Sequence, residues 1–313
     1  MIAWLIVKRV LSVIPILFGV SVITFLLVRL LPVDPAEAYL RLSKIPISDE
    51  ALALVRTELG LDRPLYLQYL SWLSGALRLD FGTSYISKKP VWDEMMAYLP
   101  ATLQLTFSSI ALAFVISLPI GILSALYKDR MFDHFSRTLS FVGAATPSFC
   151  LGFLLIYLFS LKLDIFPVSG RGGLLHLALP SFTLALASVA VYTRMLRGST
   201  LDELHQPYVL YARARGIRER LVIGKHVLKN ALTPLVTTMG MHIGHKLSGS
   251  IIVENVFAWP GIGRHFVNAL FGRDYPVILC YVLLVTTIII VCNLLIDIFH
   301  MIIDPRVRRK GAH

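Results

Sequence analysis

The 313-residue chain is 56% hydrophobic and only 16% charged, with a formal net charge of +11 and a mean hydropathy of +0.71. Soluble domains carry about a quarter charged residues, so this composition excludes an ordinary soluble globular protein. More than half of the 30 Lys and Arg flank apolar runs, so the membrane accounts for the basic balance and no nucleic-acid partner is needed.

A bilayer core takes about 20 apolar residues in a helix, and the first such run is 10–30. Lys8 and Arg9 precede it, and Ala36-Glu37-Ala38 resembles a leader cleavage site. The apolar run is too long for a leader, and Pro32 and Pro35 crowd the cleavage position, so a retained span is expected. Residues 32–100 then form an extracytoplasmic helical segment holding nearly half of the 19 acidic residues. Within it Ser48 suits an N-cap, Asp49 and Glu50 a first turn, and Gly60 a C′ stop. A second helix starts at Pro64 with the stripe Tyr66, Tyr69, Leu70, Leu73, Leu77.

Five further spans follow at 102–126, 139–161, 177–196, 232–256 and 276–301, so the expected fold is an all-α membrane protein of six transmembrane helices. Pro15, Pro119, Pro147 and Pro180, with glycines and serines between them, predict close helix contacts rather than plain lipid anchors. Lys128, Arg130, Arg137, the Arg194–Lys229 stretch and Arg306–Lys310 fall on the side of Lys8 and Arg9. The short loops opposite hold only Lys162, Arg171, Arg264 and Arg273. The positive-inside rule therefore predicts both termini in the cytoplasm.

The longest cytoplasmic segment, 198–233, reads as two short helices broken at Gly216 and stopped before Pro234. Val209, Ala212 and Arg213 recur at helical spacing among basic residues. Such a helix lies on anionic headgroups or docks in a partner's groove through i, i+3, i+4 anchors. Span five is unusually polar, with Met239, Met241, His242, His245 and Lys246 inside the apolar stretch. His242 and His245 share a helix face. They are candidates for direct metal ligation, for contact with a chelate or a pore, or for hydrogen bonding within the protein. Glu254 and Asn255 either cap the outer end of that span or close an outer gate, and Asp297 is a polar outlier in span six. Cys150, Cys280 and Cys292 lie in apolar runs without metal or disulfide spacing and are expected to pack. No cofactor is indicated. The chain lacks G-x-x-x-x-G-K-[ST], G-x-S-x-G and H-E-x-x-H, so neither a nucleotide loop nor a hydrolase site is expected. No repeat of the kind secondary transporters carry is visible.

The loop resembles the coupling loop of ABC-importer permeases, whose motif runs Glu-Ala-Ala, three residues, Gly. Ala212 and Gly216 match it, with Leu210 where the glutamate usually stands and Tyr211 at the first alanine. The Tyr-Ala-Arg-Ala-Arg-Gly form, the segments Glu58–Leu65 and Leu79–Ser84, and Glu254–Gly263 resemble the peptide and nickel branch of that family. Gly240–Gly244, Arg273–Ile278 and Asp304–Arg309 resemble most closely the first permease subunit of Gram-negative nickel importers.

The resemblance implies a type I ABC importer permease in a bacterial inner membrane, non-enzymatic itself. Its implied partners are a second, homologous permease subunit, two ATPases and an extracytoplasmic binding protein. It divides the chain into 1–31 (cytoplasmic start and first helix), 32–100, the permease core 101–301 and a cytoplasmic tail 302–313. ATPase coupling falls to Tyr208, Leu210, Tyr211, Ala212, Arg213, Arg215 and Gly216. The expected cargo is nickel, free or chelated, with a dipeptide, oligopeptide or metallophore importer as the alternative.

Overall fold

The structure is a computed structural model that describes the backbone of residues 2–30 and 34–303 and the side chains of 11–30, 34–296 and 298. Pro32, the basic tail residues 306–310 and the side chains of Lys8, Arg9 and Asp297 lie outside the described residues. All described regular elements are helices, apart from a bridge between Thr83 and Pro90. The chain forms two compact units, one of residues 1–102 with 260–313 and one of 103–259.

In the first unit, α1 (Ile2–Arg29) packs against α13 (Tyr275–Ile303). The short helices α2 (Pro35–Leu42) and α3 (Asp49–Glu58) enclose a small core of Ala36, Leu40 and Val55. Ala36 and Ala38, the residues of the leader-like motif, are buried in α2. The caps of α3 follow the sequence chemistry. Ser48 Oγ accepts from Ala51 N at 3.1 Å. At the other end Gly60 takes φ +66° while Leu61 N reaches Arg56 O (2.8 Å) and Gly60 N reaches Thr57 O (3.1 Å), a Schellman stop. Helix α4 (Leu65–Ala76) presents Tyr69 and Trp72 to Phe25 of α1. Its expected stripe splits: Tyr69 and Leu73 are half-buried, while Tyr66, Leu70 and Leu77 are exposed. Helix α12 (Ile262–Gly272) starts where Thr102 Oγ1 accepts from Ile262 N at 2.9 Å. Its His265 lies 3.6 Å from Glu94, and burial lowers the imidazole below its ordinary pKa despite that carboxylate.

Of the six expected spans, four stand as single helices long and apolar enough to cross a membrane among the described residues: Leu11–Arg29, α5 (Val91–Leu126), α8 (Leu174–Leu204) and Tyr275–Ile296. The expected span 139–161 is built of α6 (Met131–Ala145) followed by α7 (Ser148–Leu155) and a π-helical turn Ile156–Lys162, bent by 105°; counted as one crossing it makes five. Pro147 causes the bend. It has no N–H to continue the ladder, and it forces Thr146 out of helical geometry to ψ 122°. The sixth candidate, α11 (Leu228–Val256), has the length, but its polar residues keep it out of the apolar set. The expected stop before Pro234 is absent. A short turn α10 (Glu219–Leu221) and a π-helical turn Val222–Val227 lead straight into α11, which runs through Pro234. Helix α5 also starts earlier than the expected 102. Cys280 packs as expected, whereas Cys150 is exposed.

The second unit is held by α8, with α6 on one side and α11 on another. Its core gathers Ala113, Ala185, Tyr192, Leu196, Ala231 and Leu235. Gly121 marks a close approach of α5 to α8: a Cβ there would stand 3.0 Å from both Thr193 O and Leu196 Cβ. Backbone cannot yield as a side-chain tip can, so Gly121→Val is expected to destabilise the unit by about 1–3 kcal/mol. A thermal melt of the purified protein checks this; an unchanged midpoint would show that the helices separate freely.

Candidate functional site

Three places in the second unit carry the sequence-predicted residues. The first is the loop after α8. Helix α9 (Pro207–Ala214) opens with proline in its first turn and closes on Gly216, which sits at φ +72°. There Gly216 N donates to Arg213 O (2.9 Å) and Ile217 N to Ala212 O (3.2 Å), the same stop as in α3. Val209 and Ala212 are not outward anchors. They are buried with Val222 and Val227, so the loop has an apolar core of its own. The outward face instead presents Leu210 (59% exposed), Tyr211 (72% exposed), Arg213 and Arg215. Arg213 bonds Glu219 at 2.6 and 3.1 Å. That bond holds the Glu219 carboxyl below its ordinary range and pins α9 to the strand of chain entering α11.

Tyr208 faces inward. Its hydroxyl donates to Glu203 of α8 and accepts from Asn230 Nδ2 of α11 at 3.1 Å. Burial and the Glu203 hydrogen bond raise the phenol pKa. Glu203 and Asn230 were not anticipated from the sequence, where each reads as an ordinary solvated residue. Together with Tyr208 they tie α9 to both long helices of the unit.

The second place is a cavity of about 310 Å³ between α7, α8 and α11. His242, His245 and Lys246 line it, opposite Ser148, Thr183 and Ser188. His242 Nδ1 meets Tyr192 OH at 3.1 Å, and the two rings stack at 5.5 Å. The imidazoles of His242 and His245 stand edge to face, 6.2 Å apart. Lys246 is buried and its Nζ donates to Leu184 O. Met239 instead packs on the core of the unit, and Met241 is exposed and outside the cavity lining. Among the described residues no three His, Cys, Asp or Glu come together as a metal site. The cavity can therefore offer hydrogen bonds and positive charge from α11, and hydroxyls from α7 and α8. The spacing of Leu184 with Ser188 and of Thr183 with Ala187 and Val191, one helical turn apart on α8, is the signal that would have found the opposite wall.

The third place is the far end of α11. Glu254 is buried, with its Oε1 accepting from Ser250 Oγ at 3.1 Å. Its carbonyl accepts from Trp259 N at 2.8 Å, and Ala258 in the left-handed region (φ +48°) makes the turn. Asn255 is exposed and bonds its own helix at Ile251 O. Gly152 lies under this end; a Cβ there would come within 2.9 Å of Val256 Cγ1. Phe257 and Trp259 are buried, and Arg171 stands 5.9 Å from the Trp259 ring.

With this geometry in hand, comparison with known proteins is specific. Residues 117–309 match the family described as "Binding-protein-dependent transport system inner membrane component", and residues 1–106 match its N-terminal companion. The chain is 43% identical over 306 residues to the glutathione transport system permease protein GsiC of Escherichia coli K12, covering 97% of this chain and 99% of that one. The same values hold for GsiC of Shigella dysenteriae. Among solved structures it is similar to an inward-facing MetNI methionine ABC transporter, with TM-score 0.56 and 19% identity over 65% of this chain and 93% of that one. It is also similar to an amino acid ABC transporter solved with histidines, with TM-score 0.54 and 17% identity over 67% and 94%. The type I importer permease fold is thereby recovered, and the chain belongs to the family of inner-membrane permease components of binding-protein-dependent ABC importers.

Proposed function

We propose that this permease carries small peptides inward, as the alternative sequence reading had it, rather than nickel. The observation that carries the reading is the 43% identity, across nearly the whole chain, to permeases named for glutathione. The cavity between α7, α8 and α11 supports it. Its Lys246 and paired histidines suit a peptide carboxylate, and its hydroxyls suit amide groups. A nickel ion would find only two imidazoles there, His242 and His245, with no third His, Cys, Asp or Glu beside them among the described residues.

The finer arrangement is proposed with it. The chain spans the membrane six times with both termini in the cytoplasm. It pairs with a second permease subunit, and two ATPases and an extracytoplasmic binding protein complete the importer. The ATPase contact is the outer face of α9, carried by Leu210, Tyr211, Arg213 and Arg215. Ala212 and Gly216 shape that face from beneath, and Tyr208 anchors it to α8 and α11. Closure of the ATPases moves α9, the two long helices follow, and the cavity changes the side it faces. Glu254 and Asn255 stand at the end that closes outward.

The test is uptake of labelled glutathione, labelled dipeptides and labelled nickel in cells lacking the chain and complemented with it. Peptide uptake is expected to return with the wild type and to fall about tenfold with Lys246→Met, one charged contact of about 1.4 kcal/mol. Restoration of nickel uptake alone would reverse the assignment.

A further inference from the structure

Two cavities of the first unit meet at Phe81, which lines both. One, of about 320 Å³, is the more polar of the two, with Arg29, Arg63, Gln68, Trp72 and Asp80 in its mixed lining. The other, of about 420 Å³, is apolar and lies between α1, α4 and α13, walled by residues such as Ile14, Phe18, Leu77 and Leu284. Its two hydroxyls need no guest. Ser21 bonds Phe18 O and Tyr69 OH, each at 2.7 Å, and Thr287 bonds Leu283 O at 2.7 Å.

In the first cavity two buried polar atoms lack a partner, while the charged groups of Arg63 and Asp80 are exposed at its mouth. Gln68 Nε2 donates to Leu61 O (2.9 Å) and Arg63 O (2.7 Å), which fixes the amide and leaves Oε1 buried without a donor. Trp72 Nε1 is likewise buried without an acceptor. Buried polar atoms of this kind call for an explanation. Arg29 lies 5.2 Å from the Phe25 ring, and no carboxylate among the described residues bridges it or Arg63. Asp80 spends one oxygen on Gly82 N at 2.9 Å and keeps the other.

The cavity thus offers two guanidiniums and an indole N–H to an anion, and a carboxylate and an amide oxygen to a cation. A single ligand with both charges, joined to an aliphatic chain, fits the pair of cavities. The first span ends at Arg29, which puts these groups at headgroup depth, where aromatic residues such as Tyr69, Trp72 and Trp92 also collect.

We propose that the two cavities form one site for a phospholipid with a zwitterionic phosphoethanolamine-type headgroup. The phosphate is held by Arg29, Arg63 and the Trp72 N–H, the ammonium by Asp80 and Gln68 Oε1, and one acyl chain fills the apolar cavity. The lipid staples α4 to α1 and α13. The proposal rests on the membrane setting of the family and is independent of the cargo.

The assembled importer, purified in mild detergent and refilled from phosphatidylethanolamine vesicles, tests it by native mass spectrometry. The wild type is expected to retain one such lipid per chain. Retention falls about tenfold in Arg29→Gln/Arg63→Gln, and also in Leu284→Trp, which fills the apolar cavity and leaves the charges in place. Refilling from phosphatidylglycerol vesicles, which lack the ammonium, gives weaker retention, and soluble phosphoethanolamine does not compete. Equal retention in either variant overturns the proposal, as does equal competition by the soluble headgroup. A photo-crosslinker at Leu77 should capture lipid; capture of the second permease subunit would assign the groove to that subunit and also overturn it.

Discussion

Gly216→Pro is expected to reduce uptake at least a hundredfold while the chain still inserts and the ATPases still bind nucleotide. Two properties of the residue set this magnitude. Its φ of +72° lies in the left-handed region, which proline cannot enter. Its N–H closes the turn onto Arg213 O at 2.9 Å, and proline has no N–H. Losing both costs about 3 kcal/mol or more, a factor of over about a hundred against the native turn in its equilibrium with other arrangements. Gly216→Ala separates the two effects. Open space surrounds the position, and the hydrogen bond stays, so only the left-handed strain of about 1–2 kcal/mol remains. Alanine should therefore retain measurable uptake and proline should not. The coupling reading adds one more expectation: in the proline variant, ATP hydrolysis continues without matching transport. Normal uptake in Gly216→Pro would remove the ATPase-coupling role from α9.

The same glycine shows what the sequence could carry. Gly216 and Gly60 were readable as helix stops because a positive φ is a local demand that glycine meets cheaply, and Ser48 as a cap for a similar reason. Which face of α9 points inward was not readable. Val209 and Ala212 share helical spacing with Arg213, but the partners that bury them, Val222 and Val227, come from a π-helical turn about a dozen residues on, which periodicity does not foresee. Prolines misled in both directions. Pro147 breaks a predicted span, whereas α11 runs through Pro234 and α5 through Pro100. The outcome depends on whether neighbouring groups take up the freed carbonyls, a tertiary matter. The cavity was half visible. His242, His245 and Lys246 stood out as polar residues in an apolar run, while Ser148 and Ser188 looked like packing residues until α7 and α8 brought them, with Thr183, opposite.

Asp133→Ala is expected to destabilise the second unit by about 3–5 kcal/mol, the cost of stranding one partner of a buried ion pair. Asp133 is fully buried. Arg197 of α8 grips it through both nitrogens, Nε to Oδ1 at 2.6 Å and Nη2 to Oδ2 at 2.7 Å. Ser124 Oγ at the end of α5 adds 2.6 Å, and Asp129 N adds 3.0 Å. One carboxylate therefore joins α5, α6 and α8 where they leave the apolar region. Without it, Arg197, only 18% exposed, loses its bidentate acceptor, and Ser124 Oγ and Asp129 N lose theirs. The penalty lies in the stranded groups more than in the lost attraction. The double variant Asp133→Leu/Arg197→Met should accordingly recover most of the loss, because it removes both charges and keeps the volume. Melting of the purified importer, run as a double-mutant cycle, reads the difference. If the double variant is as unstable as Asp133→Ala, the pair matters for its directed hydrogen bonds rather than its charge. If neither variant moves the midpoint, the three helices hold without it. A third pattern, recovered stability with transport still lost, would place the Asp133–Arg197 clamp in the motion itself. Arg197 stands on the same helix as Glu203, which α9 holds through Tyr208, so a displacement of α9 has a continuous bonded route through α8 to α6.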